Sequence, residues 1–265
     1  MARFLVAPQW QGSPAPRAML LVDGAAAIAG DLPRAATTVL DVPLEAGDSL
    51  GTRVHRLSSL QRVRELIAHE IAEDTVLIGG DCSVTVAALH AIDRDDIAVV
   101  WCDAHPDLHT PDTSPSGAFS GMALRAVLGE GQQELALSPG VPRDRIVTVG
   151  ARVVDDEELE PLAGLAQLSV DDLDDVDALA EAVASTGARR VWVHIDVDVL
   201  DPAELAGVSS AAPFGAGTSA LTAAIRALRA RFPLAGATIA GFAPRSADHA
   251  VDDLGAILRL VGAVA

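Results

Sequence analysis

The chain has 265 residues, half of them hydrophobic, and a formal net charge of -18 in which every basic residue is an arginine. That length suits one sizeable core, so residues 1–265 read as a single α/β domain. The acidic excess disfavours nucleic acid and other polyanions as partners, and no apolar stretch reaches the length of a membrane span.

In chain order, the first strand-like run is 3–6, and Pro8 stops its hydrophobic stretch too early for a secretory leader. With only two cysteines, Cys82 and Cys102, this points to the cytoplasm. Cys102 reads as a small buried residue, and a bridge to Cys82 across neighbouring strand ends stays open. A second strand is expected at 38–42. In 53–72, Val54, Leu57, Leu60, Val63, Ile67 and Ile71 return every three or four residues, which predicts a helix with one stripe on a sheet. Further strands are expected at 76–78, 97–101, 145–149, 166–170, 190–195 and 237–242, with helices at 218–230 and 251–260. The arginines of 226–231 read as the solvated side of their helix. Eight strands alternating with helices predict a three-layer α/β fold, a mostly parallel sheet covered on both faces.

Three segments gather acidic, thiol and imidazole groups immediately after apolar runs: Gly79-Gly80-Asp81-Cys82-Ser83, Asp103-Ala104-His105-Pro106-Asp107 and Asp196-Val197-Asp198-Val199-Leu200-Asp201-Pro202. In extended chain, alternate side chains point the same way and lie about 6–7 Å apart. Asp103, His105 and Asp107 therefore face one point, and Asp196 with Asp198 obeys the same rule. In open parallel sheets, ligands collect beyond the carboxyl ends of strands. Asp and His also gather in loops as turn formers and caps. Two such clusters brought together, however, need a cation to offset carboxylate repulsion. The set suffices for one or two divalent ions, with loops 108–117 and 203–217 shaping a pocket for a small molecule. His194 shares the parity of Asp196 and Asp198. It reads as a core histidine hydrogen-bonded one layer below the metal, with a supporting role toward the ligands as the alternative. His109 either orients a ligand or substrate or is an ordinary loop residue. His55, His69, His90 and His249 read as surface or capping residues.

At these motifs the chain resembles the ureohydrolase superfamily of arginases, agmatinases and formiminoglutamases, which carry Gly-Gly-Asp-His-Ser, Asp-Ala-His-x-Asp and Asp-x-Asp-x-x-Asp-Pro in this order. The resemblance implies an arginase-like fold and a binuclear manganese site whose hydroxide attacks a guanidinium or formimino carbon. It also implies assembly as a trimer or hexamer. Carried over by position, Asp103 and Asp196 bridge both metals, Asp107 completes the first site, and His105 and Asp198 complete the second. The first site's remaining ligand falls at Cys82, where the family has histidine. A thiolate is softer than imidazole, so one ion or two, and Mn²⁺, Zn²⁺ or another softer ion, all stay open.

Two further departures touch the pocket. The family's Ser-Gly-Asn-x-His-Gly-Met reads here Ser116-Gly117-Ala118-Phe119-Ser120-Gly121-Met122, which leaves Ser116 and Ser120 as substrate hydrogen-bond donors without an acid–base role. The family's Glu-x-Asn-Pro reads Gly241-Phe242-Ala243-Pro244, without the carboxylate that holds a guanidinium, and Arg245 beyond it reads as solvent-facing. Two functions follow from the resemblance. One is a hydrolase of a linear C–N bond in a guanidino, formimino, amidine or amide substrate, with Asp107 holding the attacking water and shuttling its proton. The other is a degenerate relative that binds metal with little or no turnover.

Overall fold

The structure, a computed structural model, describes residues 2–265. Its strands are β1 (Arg3–Val6), β2 (Thr37–Val39), β3 (Thr75–Ile78), β4 (Ile97–Cys102), β5 (Ile146–Val149), β6 (Ala166–Leu168), β7 (Arg190–Asp196) and β8 (Leu234–Ala240). They form one sheet in the order β2-β1-β3-β8-β7-β4-β5-β6. Every pairing among these strands is parallel, so the sheet read as mostly parallel is wholly so.

The helices are α1 (Leu20–Gly30), α2 (Leu57–Glu70), α3 (Ser83–His90), α4 (Ala123–Val127), α5 (Asp156–Ala163), α6 (Ala178–Ser185), α7 (Thr218–Arg231) and α8 (Ala247–Val264). They fall into two layers because strand side chains alternate between faces. In β4, Ala98, Val100 and Cys102 enter the core shared with Ile28 of α1, Val183 of α6, Ile225 of α7 and Leu260 of α8. Ile97, Val99 and Trp101 enter the opposite core, with Leu60 of α2, Val84 of α3, Leu124 of α4 and Leu162 of α5. A sheet buried on both faces needs strands that are apolar throughout, and β3 and β4 are buried at every residue. No described helix is long and apolar enough to cross a membrane.

Several boundaries differ from the sequence expectation. The second strand, expected at 38–42, ends at Val39; Leu40 N–H still reaches Val6 O at 2.8 Å, and the chain then leaves the sheet toward Pro43. The last strand, expected at 237–242, runs from Leu234 to Ala240. Its early residues Ala235 and Gly236 lack the branched side chains that mark a strand, and Gly241, at φ +83°, turns the chain before Phe242. Helix α8 starts before the expected 251 because Ser246 caps it, its hydroxyl accepting from His249 N–H. Cys82 belongs to the α2–α5 side of the sheet and Cys102 to the other; both are free thiols, and the bridge left open between them does not form.

Candidate functional site

All three motifs lie at the carboxyl ends of β3, β4 and β7, three of the four strands at the centre of the sheet. After β3, Gly79 and Gly80 both adopt positive φ, +96° and +73°, and reverse the chain into α3. Gln9 holds this turn: its side-chain amide donates to Asp81 Oδ2 at 2.9 Å and Ser83 Oγ at 3.2 Å, and its Oε1 accepts from Asp81 N–H. The turn sets Cys82 Sγ 3.2 Å from Asp196 Oδ2 and 3.7 Å from Asp103 Oδ2.

Asp103 extends the β4 ladder by one hydrogen bond, from its N–H to Val149 O at 3.1 Å. Its Oδ1 then accepts from His105 N–H at 2.7 Å, an Asx turn that reverses the chain at the strand end. His105 Nδ1 lies 3.0 Å from Asp198 Oδ2 and 3.5 Å from Asp103 Oδ1. Asp196, the last residue of β7, caps the turn that follows: its Oδ1 accepts from Asp198 N–H at 3.0 Å. Asp198 Oδ1 in turn accepts from Ala104 N–H at 3.1 Å, which ties the two loops together. Asp107 sits at φ +54°, and its buried Oδ2 has no hydrogen-bond partner. The predicted set of Cys82, Asp103, His105, Asp107, Asp196 and Asp198 thus lines one cavity of about 470 Å³.

The electrostatics of these groups show what they lack. Burial, then the adjacent charge of Asp103, raises the Asp107 carboxyl well above the carboxylate range. Burial likewise raises Asp196, with Asp198 and Asp103 adding to it, and pushes Asp198 up to about 6 with help from Asp103. Burial also opposes charge on Asp103, yet the imidazoles of His105 and His194 hold it below the usual range. His105 goes the other way: against its desolvation, Asp103 and Asp198 push it up to about 12. The Cys82 thiol is raised by burial and then by the carboxylates of Asp107, Asp196 and Asp103. A divalent cation fits these residues, because hard carboxylate oxygens and an imidazole converge and one buried carboxylate oxygen is without a partner.

Gly241, at the end of β8, leaves room for this cluster. A Cβ there would stand 2.1 Å from Asp196 Oδ1, and the backbone is left-handed. Gly241→Ala is therefore expected to displace Asp196, weaken divalent-cation binding and lower the melting temperature. Calorimetric metal titration beside a thermal melt checks both.

Ser116 and Ser120 also line the cavity. Ser116 Oγ accepts from Ala118 N–H at 3.2 Å, and Ser120 is anchored through its own N–H to Gly12 O at 2.9 Å. His109 is no ordinary loop residue. It is buried, with Nδ1 3.1 Å from Thr113 Oγ1 and Nε2 3.0 Å from Asp155 Oδ2. Asp155 and Glu158 form the capping box of α5, and Glu158 Oε1 accepts from Leu108 N–H at 2.8 Å, joining the first turn of α5 to the loop after β4. These two acids on the cavity wall escaped the sequence reading, although Asp-x-x-Glu ahead of a helical stretch is a recognisable capping signature. The wall also includes 13–16 of the loop after β1, which carried no motif. Arg245 is exposed, as read from the sequence.

A model of the arginase family matches residues 23–260. The N(omega)-hydroxy-L-arginine amidinohydrolase of Streptomyces lavendulae is 31% identical over 212 residues, which is 77% of this chain and 74% of that protein. The arginase of Staphylococcus aureus (strain COL) is 33% identical over 147 residues, 51% of this chain and 49% of its own, so the chain spans about half the length of that relative. In fold, the chain resembles the crystal structure of arginase from Bacillus subtilis at a TM-score of 0.84 and 22% identity, covering 99% of this chain and 97% of that one.

Proposed function

The chain belongs to the arginase family, and from that premise we propose that it is a metal-dependent hydrolase of a C–N bond in a small cationic guanidino or amidine-type compound. The observation that carries this reading is the cavity. Asp103, His105, Asp107, Asp196 and Asp198 converge at its floor, Asp155 and Glu158 stand on its wall, and none of the described residues lining it is an arginine. Such a field draws in cations and repels anions.

In this reading Asp103, Asp107, Asp196 and Cys82 would hold one cation, and Asp103, His105, Asp196 and Asp198 a second. When bound, the cations supply the positive charge that makes water nucleophilic near neutral pH, Mn²⁺ being the ion suggested by the family. The chain's own contribution is orientation and proton transfer. The free Oδ2 of Asp107 accepts a proton from the attacking water and returns it to the departing nitrogen. Ser116 and Ser120 donate hydrogen bonds to the substrate from the cavity wall. A cytoplasmic location and assembly as a trimer or hexamer belong to the same proposal.

Gly241, where the sequence motif would place a guanidinium-holding carboxylate, and Ser120, where it would place an imidazole, favour a second reading: a relative that binds metal without turnover. Release of urea, formamide, ammonia or a free amine from guanidino, formimino, amidine and N-acyl compounds by the Mn²⁺-loaded protein separates the two. We expect release from a cationic member of that panel, lost in Asp107→Asn. Metal loading with no release from any member would establish the second reading instead.

A further inference from the structure

We infer that His194 joins Cys82 and Asp103 at the cation position these two share with Asp107 and Asp196, giving it a mixed thiolate, carboxylate and imidazole character suited to a softer divalent ion such as zinc. This deepens the proposal that cations bind at the strand ends and rests on it.

His194 carries the inference. It lies two residues before Asp196 on β7, so its side chain leaves the same face of the strand. It is completely buried, and its Nε2 makes no hydrogen bond, facing only the Asp103 carboxylate at the longer distance of 3.9 Å. A buried imidazole nitrogen left free is costly unless something else engages it. The other nitrogen, Nδ1, is 2.8 Å from the hydroxyl of Thr85 on α3. When Nδ1–H donates to that hydroxyl, Nε2 presents its lone pair, which is how a partner behind the ring prepares a histidine ligand. Trp101, the neighbour of His194 in strand register, lies against the ring with centroids 3.8 Å apart and fixes its plane.

The donor spacings come close to what this role needs, with His194 slightly farther out. Zinc bonds of about 2.0–2.3 Å in a tetrahedral shell separate neighbouring donors by roughly 3.3–3.8 Å. Cys82 Sγ stands 3.7 Å from Asp103 Oδ2, and His194 Nε2 stands 3.9 Å from that same oxygen. All three donor atoms lie within 4.8 Å of one another. The second group, Asp103, His105 and Asp198, offers only oxygen and imidazole nitrogen and suits a harder ion. Asp103, with one oxygen toward each group, joins the two positions. The imidazole absent from position 82 is thus supplied from β7, and sulfur is added beside it. Metal binding breaks the Cys82 S–H bond; the proton leaves to solvent as the metal–sulfur bond forms.

The test is titration of the metal-free full chain with Co²⁺, read by near-ultraviolet absorption, and with Zn²⁺, read by calorimetry. We expect a thiolate-to-cobalt charge-transfer band that saturates at one equivalent, persists in Cys102→Ser and disappears in Cys82→Ser. His194→Gln should weaken Zn²⁺ binding at this position at least tenfold. Thr85→Val, which leaves the imidazole in place but unsupported, should weaken it about 10–100-fold. Stoichiometric cobalt binding without the band overturns the inference, and so does undiminished zinc affinity in both His194→Gln and Thr85→Val. These readouts need no turnover, so an active enzyme lacking the band refutes the mixed site alone. A chain that binds no divalent ion refutes the underlying functional reading as well.

Discussion

Asp196→Asn is expected to reduce C–N hydrolysis at saturating Mn²⁺ at least about 1,000-fold, equivalent to ~4 kcal/mol of transition-state stabilisation, while making the metal-free protein more heat-stable. The two effects have one cause. The amide oxygen of the substituted side chain would still accept from Asp198 N–H, so the turn after β7 keeps its cap. What disappears is an ionisable carboxyl set between Cys82 and the other acids, its titration raised out of the normal range by burial and by Asp198 and Asp103. Without a cation it must take up a proton to be buried, which opposes folding, and with one it ionises and holds the ion. Initial rates and melting curves on the same preparations test both halves. Full turnover in the variant would remove Asp196 from the centre, and a less stable metal-free variant would mean that carboxylate crowding is not the dominant cost there.

The floor of the site was legible because its donors sit two residues apart at the ends of apolar runs. Asp103, His105 and Asp107, and likewise Asp196 and Asp198, are expected to share a direction as alternate residues of extended chain; the chain instead turns at Asp103, Asp107 and Asp196, and these turns bring all five into the cavity. The wall was not legible in the same way. His109, Asp155 and Glu158 meet only because β4 and β5 are neighbours in the sheet and their following loops fold together. Helix α3 went unread for a different reason. Every residue from Ser83 to Leu89 is buried, so it has no polar face, and Val84, Thr85 and Val86 are the residue types of a strand. That helix carries Thr85, so the support for His194 stayed hidden with it. The sequence allowed a core histidine below the metal, and the structure adds the free Nε2 that gives the residue a further use.

Stability of the metal-free chain should fall as pH rises from about 5 to 8, and added Mn²⁺ should reverse that slope. Asp198 has its carboxyl pushed from 3.8 to about 6, so the folded chain holds a proton that the unfolded chain has released. Its stabilising contribution is complete below 3.8 and is lost as pH rises through about 6, a change of about 3 kcal/mol. Asp107 and Asp196, also raised, act in the same direction. His105, held up to about 12 against an ordinary 6.5, contributes fully below 6.5 and loses that contribution as pH climbs toward 12. Asp103 is shifted down, so its contribution is lost only when pH falls below the ordinary carboxylate value, outside this window. A bound cation replaces those protons, and its affinity grows as they leave, so the stabilisation it adds increases with pH. Melting temperatures across this range, with chelator and with Mn²⁺, should therefore diverge steadily toward high pH. A metal-free melting temperature that rises from pH 5 to 8 would mean that these carboxyls do not hold their protons in the folded chain, and the electrostatic case for a cation among them would fail.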